Sequence, residues 1–204
     1  MLYELASEAV RFGDLPLAGP GRRQSAGDER PWRRRLLGSW RAEFGIVNRV
    51  ATLSRLEMPD PPGAEDEEVS RSSGAGARQA APETTLREAH LLNAETEIRD
   101  ELADRPFVEL RRYTIDPGAI DEFMALMRAA LPAREKYSQK LGVWTPLTGN
   151  RDEVFHMWAY TSLEERERAR AMAKDDPVWK AYLDQISPLV RTMTAELLRP
   201  VARR

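Results

Sequence analysis

The strongest constraint on this chain is that it repeats itself. Tyr3-Glu4-Leu5 returns as Val108-Glu109-Leu110 at a spacing of 105, and Leu37-Gly38-Ser39-Trp40 returns as Leu141-Gly142-Val143-Trp144 at 104. The stretch from Phe44-Gly45 to Val50 keeps that 104-residue register with Thr148-Gly149 to Val154. Three blocks in near-constant register mark a duplication. The 204 residues therefore divide into two modules, each of about 100 residues.

The second copy carries the clearer pattern. Phe107 to Ile115 mixes β-branched and aromatic residues as a strand does, and Asp116-Pro117-Gly118 makes a turn. Ile120, Phe123, Met124 and Met127 recur at helical spacing. That helix is expected to break or bend near Pro132, with a second short piece reaching Lys140. Leu141 to Leu147 and Glu153 to Tyr160 are strands joined by a hairpin-like connection at 148–152. Ser162 with Glu165 is a capping box opening a charged helix. Asp176-Pro177 starts another helix, striped by Val178, Trp179, Tyr182 and Ile186, and Leu189 to Leu198 is a last strand. The order is βαββαβ, the ferredoxin-like plan.

The first copy, residues 1–57, is degenerate. Gly13, Pro16, Gly19, Pro20, Gly21 and Gly27 oppose a regular helix where the second copy has one. Residues 58–84 hold prolines, an acidic patch and Ser72-Ser73-Gly74-Ala75-Gly76, and read as a flexible low-complexity loop. Leu86, Ala89, Leu92 and Ile98 are read as a helical stripe over 85–105, completing repeat one or connecting it to the intact domain at 106–200. The fold class expected is α+β, two tandem ferredoxin-like modules.

Composition closes off several functions. With no cysteine, thiolate nucleophiles, disulfides and Cys-ligated metal sites are excluded. Two histidines and no cysteine make a protein-only metal site a poor reading. A net charge of −2 lacks the broad cationic surface that non-specific nucleic-acid binding needs; the basic run Arg30 to Arg35 reads as a solvated turn. No apolar run is long enough to cross a membrane, and Met1 to Leu5 lacks the layout of a secretory signal, so a cytoplasmic location is the default expectation. No phosphate-loop spacing and no nucleophile elbow occur, so no nucleotide or other cofactor is expected.

Several motifs of the second copy coincide with a known family. Val108-Glu109-Leu110-Arg111, Gly142-Val143-Trp144, His156-Met157-Trp158-Ala159-Tyr160 and Ser162-Leu163-Glu164-Glu165-Arg166 resemble the Tyr-Glu-Leu-Arg, Gly-Phe-Trp, His-Leu-Trp-Ala-Tyr and Ser-Leu-Glu-Glu-Arg of the NIPSNAP family. The resemblance covers residues 106–200. It implies a domain of the dimeric α/β-barrel group that pairs through its open sheet face into a closed barrel, as a homo-oligomer or as an intramolecular pseudo-dimer. The wider group includes small-molecule monooxygenases, isomerases and haem-degrading enzymes. Residues 1–57 lack the Arg after Glu-Leu and the His-x-Trp, so an inherited site is expected only in the second copy.

Alternation then groups the candidate site residues, because every second residue of a strand shares a face. Glu109, Arg111 and Tyr113 point one way and Val108 and Leu110 the other; His156, Trp158 and Tyr160 oppose Phe155, Met157 and Ala159. The apolar set is expected under the helices and the polar-aromatic set in the barrel interior, with Trp144 beside it. In a functional reading, Arg111 holds an anionic or carbonyl ligand, His156 or Tyr113 moves a proton, and Glu109, Trp144, Trp158 and Tyr160 wall the pocket. In a structural reading, Glu109 and Arg111 form an ion pair and the rest is packing. The first makes the chain a small-molecule binder or enzyme, the second a dimerisation or protein-interaction scaffold. His90, placed in a helix, is given no role.

Overall fold

The computed structural model describes residues 1–10, 32–44, 46–58 and 84–201. Eight strands close into one barrel. They are β1 (Leu2–Val10), β2 (Arg33–Ala42), β3 (Arg49–Glu57), β4 (Thr84–Ala94), β5 (Phe107–Ile115), β6 (Gln139–Pro146), β7 (Glu153–Tyr160) and β8 (Val190–Pro200). Among the described residues three α-helices, α1 (Ile120–Glu135), α2 (Leu163–Asp175) and α3 (Pro177–Ile186), follow in the second module. Going round the barrel the order is β1-β3-β2-β8-β5-β7-β6-β4, every neighbouring pair antiparallel. Each module thus contributes a four-stranded ferredoxin-like sheet, β4-β1-β3-β2 and β8-β5-β7-β6. The two sheets meet at the β2–β8 and β4–β6 seams.

The duplication is visible strand by strand. β1 and β5 start 105 positions apart, at Leu2 and Phe107, and β4 and β8 start 106 apart, at Thr84 and Val190. Both copies bulge at the same place. Pairing of β2 with β3 slips between Leu36 and Gly38, and pairing of β6 with β7 slips between Lys140 and Gly142. The extra residues, Leu37 and Leu141, are buried in the barrel lumen. In each copy the glycine lies against the tryptophan two residues on: a Cβ on Gly38 would meet the Trp40 ring at 2.1 Å, and one on Gly142 the Trp144 ring at 2.6 Å. The repeated Leu-Gly-x-Trp is therefore a bulge that turns a leucine inward and a glycine that clears space for an indole.

Three sequence expectations need correction. Residues 85–94 are strand, not helix: β4 runs beside β1 and closes the barrel on β6, and only Asp100–Leu102 coils, as a short 3-10 turn. The apolar spacing fitted a helix, but β1 has an open edge whose backbone groups need a partner, and pairing there overrides local periodicity. The first module accordingly extends to Ala94. Second, α1 runs unbroken to Glu135 with Pro132 inside it. One helical hydrogen bond is lost there, while Leu131, Ala133 and Arg134 on either side are buried and hold the turn in place. Third, Arg33, Arg34 and Arg35 belong to β2; Arg34 pairs with Glu4 at 2.6 Å and Arg35 with Asp100 at 3.7 Å. The proposed loop at 58–84, except its two end residues, and the glycine- and proline-rich stretch at 11–31 lie outside the described residues.

The remaining second-copy elements follow their local signals. Ser162 Oγ accepts the Glu165 backbone N–H at 3.1 Å, the first half of the capping box. Glu165 returns to the Thr161 amide at 2.5 Å, one residue further out. Asp176 caps α3 by accepting from the Val178 and Trp179 amides. No helix among the described residues is long and apolar enough to cross a membrane.

Two apolar layers result. The lumen holds Tyr3, Leu5, Trp40 and Leu53 of the first module against Val108, Trp144, Phe155 and Met157 of the second. Outside the second sheet, Tyr113, Val143, Trp158 and Tyr160 pack against Phe123, Met127 and Tyr182 of the helices.

Candidate functional site

Those two layers reverse the expected faces. Val108, Leu110, Phe155, Met157 and Ala159 line the lumen, while Tyr113, Trp158 and Tyr160 lie under the helices. The lumen is where the two sheets press together, so it demands the apolar set; the helices supply the charges that the polar set needs. Trp144 belongs to the lumen, paired in register with Phe155 and edge-on to Tyr3 at 6.1 Å. It is therefore not a neighbour of His156.

The other six predicted residues do come together beneath α1 and α2. His156 Nδ1 accepts the Trp158 indole N–H at 2.7 Å, and the His156 ring stands edge-on to Tyr113 at 4.8 Å. The Arg111 guanidinium lies over the other ring neighbour, Tyr113, at 5.3 Å. Glu109 is not paired with Arg111: it accepts from Arg166 at 2.5 Å and Arg170 at 3.2 Å, both on α2. Arg134 of α1 is buried against the faces of Trp158 and Trp179, at 5.0 and 5.7 Å, and donates to Ser138 Oγ at 2.6 Å.

Burial first, then the Arg111 and Arg134 charges, push the His156 imidazole well below its ordinary range. It is neutral, and because Trp158 occupies Nδ1 the proton sits on Nε2. Burial likewise raises the Tyr113 and Tyr160 phenols. None of these residues lines the cavity at the barrel's end.

That cavity, of about 320 Å³, opens inside one mouth of the lumen. Its depth is lined by Leu5, Ala51, Leu110 and Phe155, and its rim by Thr114, Thr192 and Thr194. Between them runs a charged network. Arg49 reaches Glu88 and Glu196, each at 2.8 Å, and Ser7 Oγ at 2.5 Å. Arg112 reaches Glu88 at 2.6 Å and Glu153 at 3.0 Å. His90 Nε2 lies 2.8 Å from Glu88 Oε1, and the His90 ring packs on Phe155 at 4.8 Å. Burial works against the Glu88 charge, but the hydrogen bonds from His90 and Arg112 outweigh it and hold the carboxyl below its usual range. An ionised Glu88 only accepts, so His90 donates through Nε2 and presents Nδ1 as the free nitrogen.

Sequence reasoning missed this network, and gave His90 no role because it placed that residue on a helix. The signal was in the repeat. At the 104- to 106-residue spacings of their strands, Arg49 matches Glu153, Ser7 matches Arg112, Glu88 matches Thr194 and His90 matches Glu196. All eight line the same cavity. The site therefore lies on the axis relating the modules, with the same backbone but different chemistry on its two sides.

Comparison with known proteins now bears on both sites. The family model for NIPSNAP matches residues 108–203. "Protein NipSnap homolog" of Dictyostelium discoideum is 25% identical, over 81% of this chain and 74% of that protein. "Protein NipSnap homolog 2" of Mus musculus is 25% identical, over 81% of this chain and 61% of its own length. The second module, residues 108–203, is a NIPSNAP domain. A solved NIPSNAP domain protein from Burkholderia xenovorans is 30% identical over 47% of this chain and 95% of that one, with a TM-score of 0.45. A putative monooxygenase from Lactobacillus acidophilus superposes over 98% of this chain and 94% of its own, at a TM-score of 0.61 and 14% identity. That full-length match establishes the two-module fold and nothing of the chemistry.

Proposed function

We propose that this chain binds a small organic molecule in the lumen mouth, without a nucleotide cofactor. The observation that carries the reading is the cavity itself, about 320 Å³ with apolar walls below a charged network. That size lies at the lower end of the roughly 300–1,000 Å³ of ligand pockets. An apolar body would rest on Leu110 and Phe155, and a hydrogen-bonding head would meet Glu88 and His90. The Glu88–His90 pair also suits proton transfer at Nδ1, since a fixed carboxylate orients the imidazole.

Thr194 lines the cavity from an exposed position on β8. Thr194→Trp should fill the mouth while leaving the barrel folded. A fragment panel read by ligand-observed NMR should give hits on the wild type that this variant loses; hits that persist unchanged would place binding elsewhere.

One observation favours a second reading, a non-catalytic dimerisation or interaction module. Arg49, Arg112, Glu88, Glu153 and Glu196 already satisfy one another, as residues plugging a barrel end would. On that reading no fragment enters the lumen.

A further inference from the structure

The cluster under the helices carries more positive charge than its neighbours neutralise. Four guanidiniums, of Arg111, Arg134, Arg166 and Arg170, surround the single carboxylate of Glu109. Glu109 is taken by Arg166 and Arg170. Among the described residues, Arg111 and Arg134 have no carboxylate partner. Arg134 is 3% exposed, and a buried cation without an anion is costly, because desolvation is not offset by an opposite charge. The two cations also feel each other: burial and then the field of Arg111 weigh on the Arg134 charge. The exposed Glu167 acts on Arg166 from the solvent side and leaves Arg111 and Arg134 as they are.

A second observation concerns donors. Arg111 Nε, Arg166 Nε and His156 Nε2 are buried with no hydrogen-bond partner, and so are two oxygens of the same cluster, Glu109 Oε2 and the Tyr160 hydroxyl. Glu109 Oε2 belongs to the carboxylate already paired with Arg166 and can answer that Nε; with the His156 proton on Nε2, the two N–H groups in want of an acceptor are those of Arg111 and His156. Buried donors are nearly always satisfied, and orphans grouped around uncompensated cations mark a missing acceptor. Arg111 and His156 share the ring of Tyr113, which keeps their groups adjacent. The approach is from β8, where Ala195 stands beside Arg111 in register and is exposed, as is Met193.

We propose that the cationic cluster between β5 and helices α1 and α2 binds an oxyanion group, carboxylate or phosphate, of a small molecule, through Arg111 and Arg134 with the His156 Nε2–H as a further donor. The anion supplies the acceptor that the Arg111 and His156 N–H groups lack and the charge that two guanidiniums lack. Arg111 gives it a planar, bidentate partner. The site is separate from the lumen cavity, since Arg111 and Arg112 point to opposite faces of β5.

The test is titration of the full chain with sodium benzoate and with sodium phosphate, at ionic strength held constant with chloride. The readouts are intrinsic tryptophan fluorescence, to which Trp158 and Trp179 beside Arg134 contribute among five tryptophans, and thermal unfolding. A saturable change with at least one of the two is expected, and whichever binds more tightly identifies carboxylate or phosphate as the source. Arg111→Gln should weaken it at least tenfold. Ala195→Glu, an exposed change that offers Arg111 a carboxylate of its own, should abolish it and raise the unfolding temperature. The exposed Arg151→Gln, and Thr194→Trp at the lumen mouth, should leave it unchanged. No saturable response to either anion, or an equal response in wild type, Arg111→Gln and Ala195→Glu, overturns the proposal.

Discussion

The indole N–H of Trp158 and the packed rings of Tyr113 and Trp158 leave His156 one protonation state over the ordinary pH range. A histidine held neutral in the fold makes stability depend on pH in a definite sense. The folded pKa is depressed, so as pH falls below about 6.5 the unfolded chain takes up a proton that the folded chain refuses, and stability drops. The penalty grows by about 1.4 kcal/mol per pH unit until the folded pKa is reached. His156→Gln retains an acceptor for Trp158 and removes the titration. The stability advantage of wild type over this variant should therefore shrink by about 2 kcal/mol between pH 7.5 and 5. Denaturant unfolding of both proteins at the two pH values measures it. An unchanged difference would mean that His156 takes up a proton as readily in the fold as in the unfolded chain.

At the scale of single elements, the bulge shared by β2 and β6 explains why Leu-Gly-x-Trp is the best-preserved block of the duplication. The bulge directs Leu37 and Leu141 into the lumen, and the glycine after each admits an indole. Side chains added at these glycines would overpack a closed core. Gly142→Ala, whose Cβ would fall 2.6 Å from Trp144 and 2.4 Å from Ile98, should destabilise by about 1–3 kcal/mol. Gly38→Ala, against Trp40, should behave in the same way. In each, the denaturation midpoint should fall with the slope unchanged. The two indoles differ in one respect: Trp40 donates to the Ala103 carbonyl at 2.9 Å, whereas Trp144 Nε1 has no partner. β4 shows the limit of local pattern, since its residues satisfy a helical spacing and nevertheless pair with β1.

For the whole molecule, the seams are the narrow points. β2 meets β8, and β4 meets β6, through three registered pairs each, against eight between β5 and β7. What joins the modules is mostly the apolar lumen. The second module alone, residues 105–204, would expose the edges of β6 and β8 and the lumen faces of Val108, Phe155 and Met157. Such a surface is stable only when covered. This fragment should self-associate, a second copy standing where the first module stood, and light scattering should give a dimer mass. A monodisperse monomer would mean that the second sheet is stable without a partner face.

The residues alone determined the duplication and its turns, every second-module strand to within two residues at either end, and which side chains share a face. These depend on local backbone preference and on period-2 alternation, both of which are properties of short stretches. Only the tertiary structure decided which face was the lumen. All eight residues of β7 are buried, because one face meets the other sheet and the other face meets helices, so burial leaves no asymmetry to read along the strand. The same closure brought Glu88 and His90 beside Arg112 from 24 and 22 positions away. Alternation states who shares a face; the layer that covers it is set by the rest of the chain.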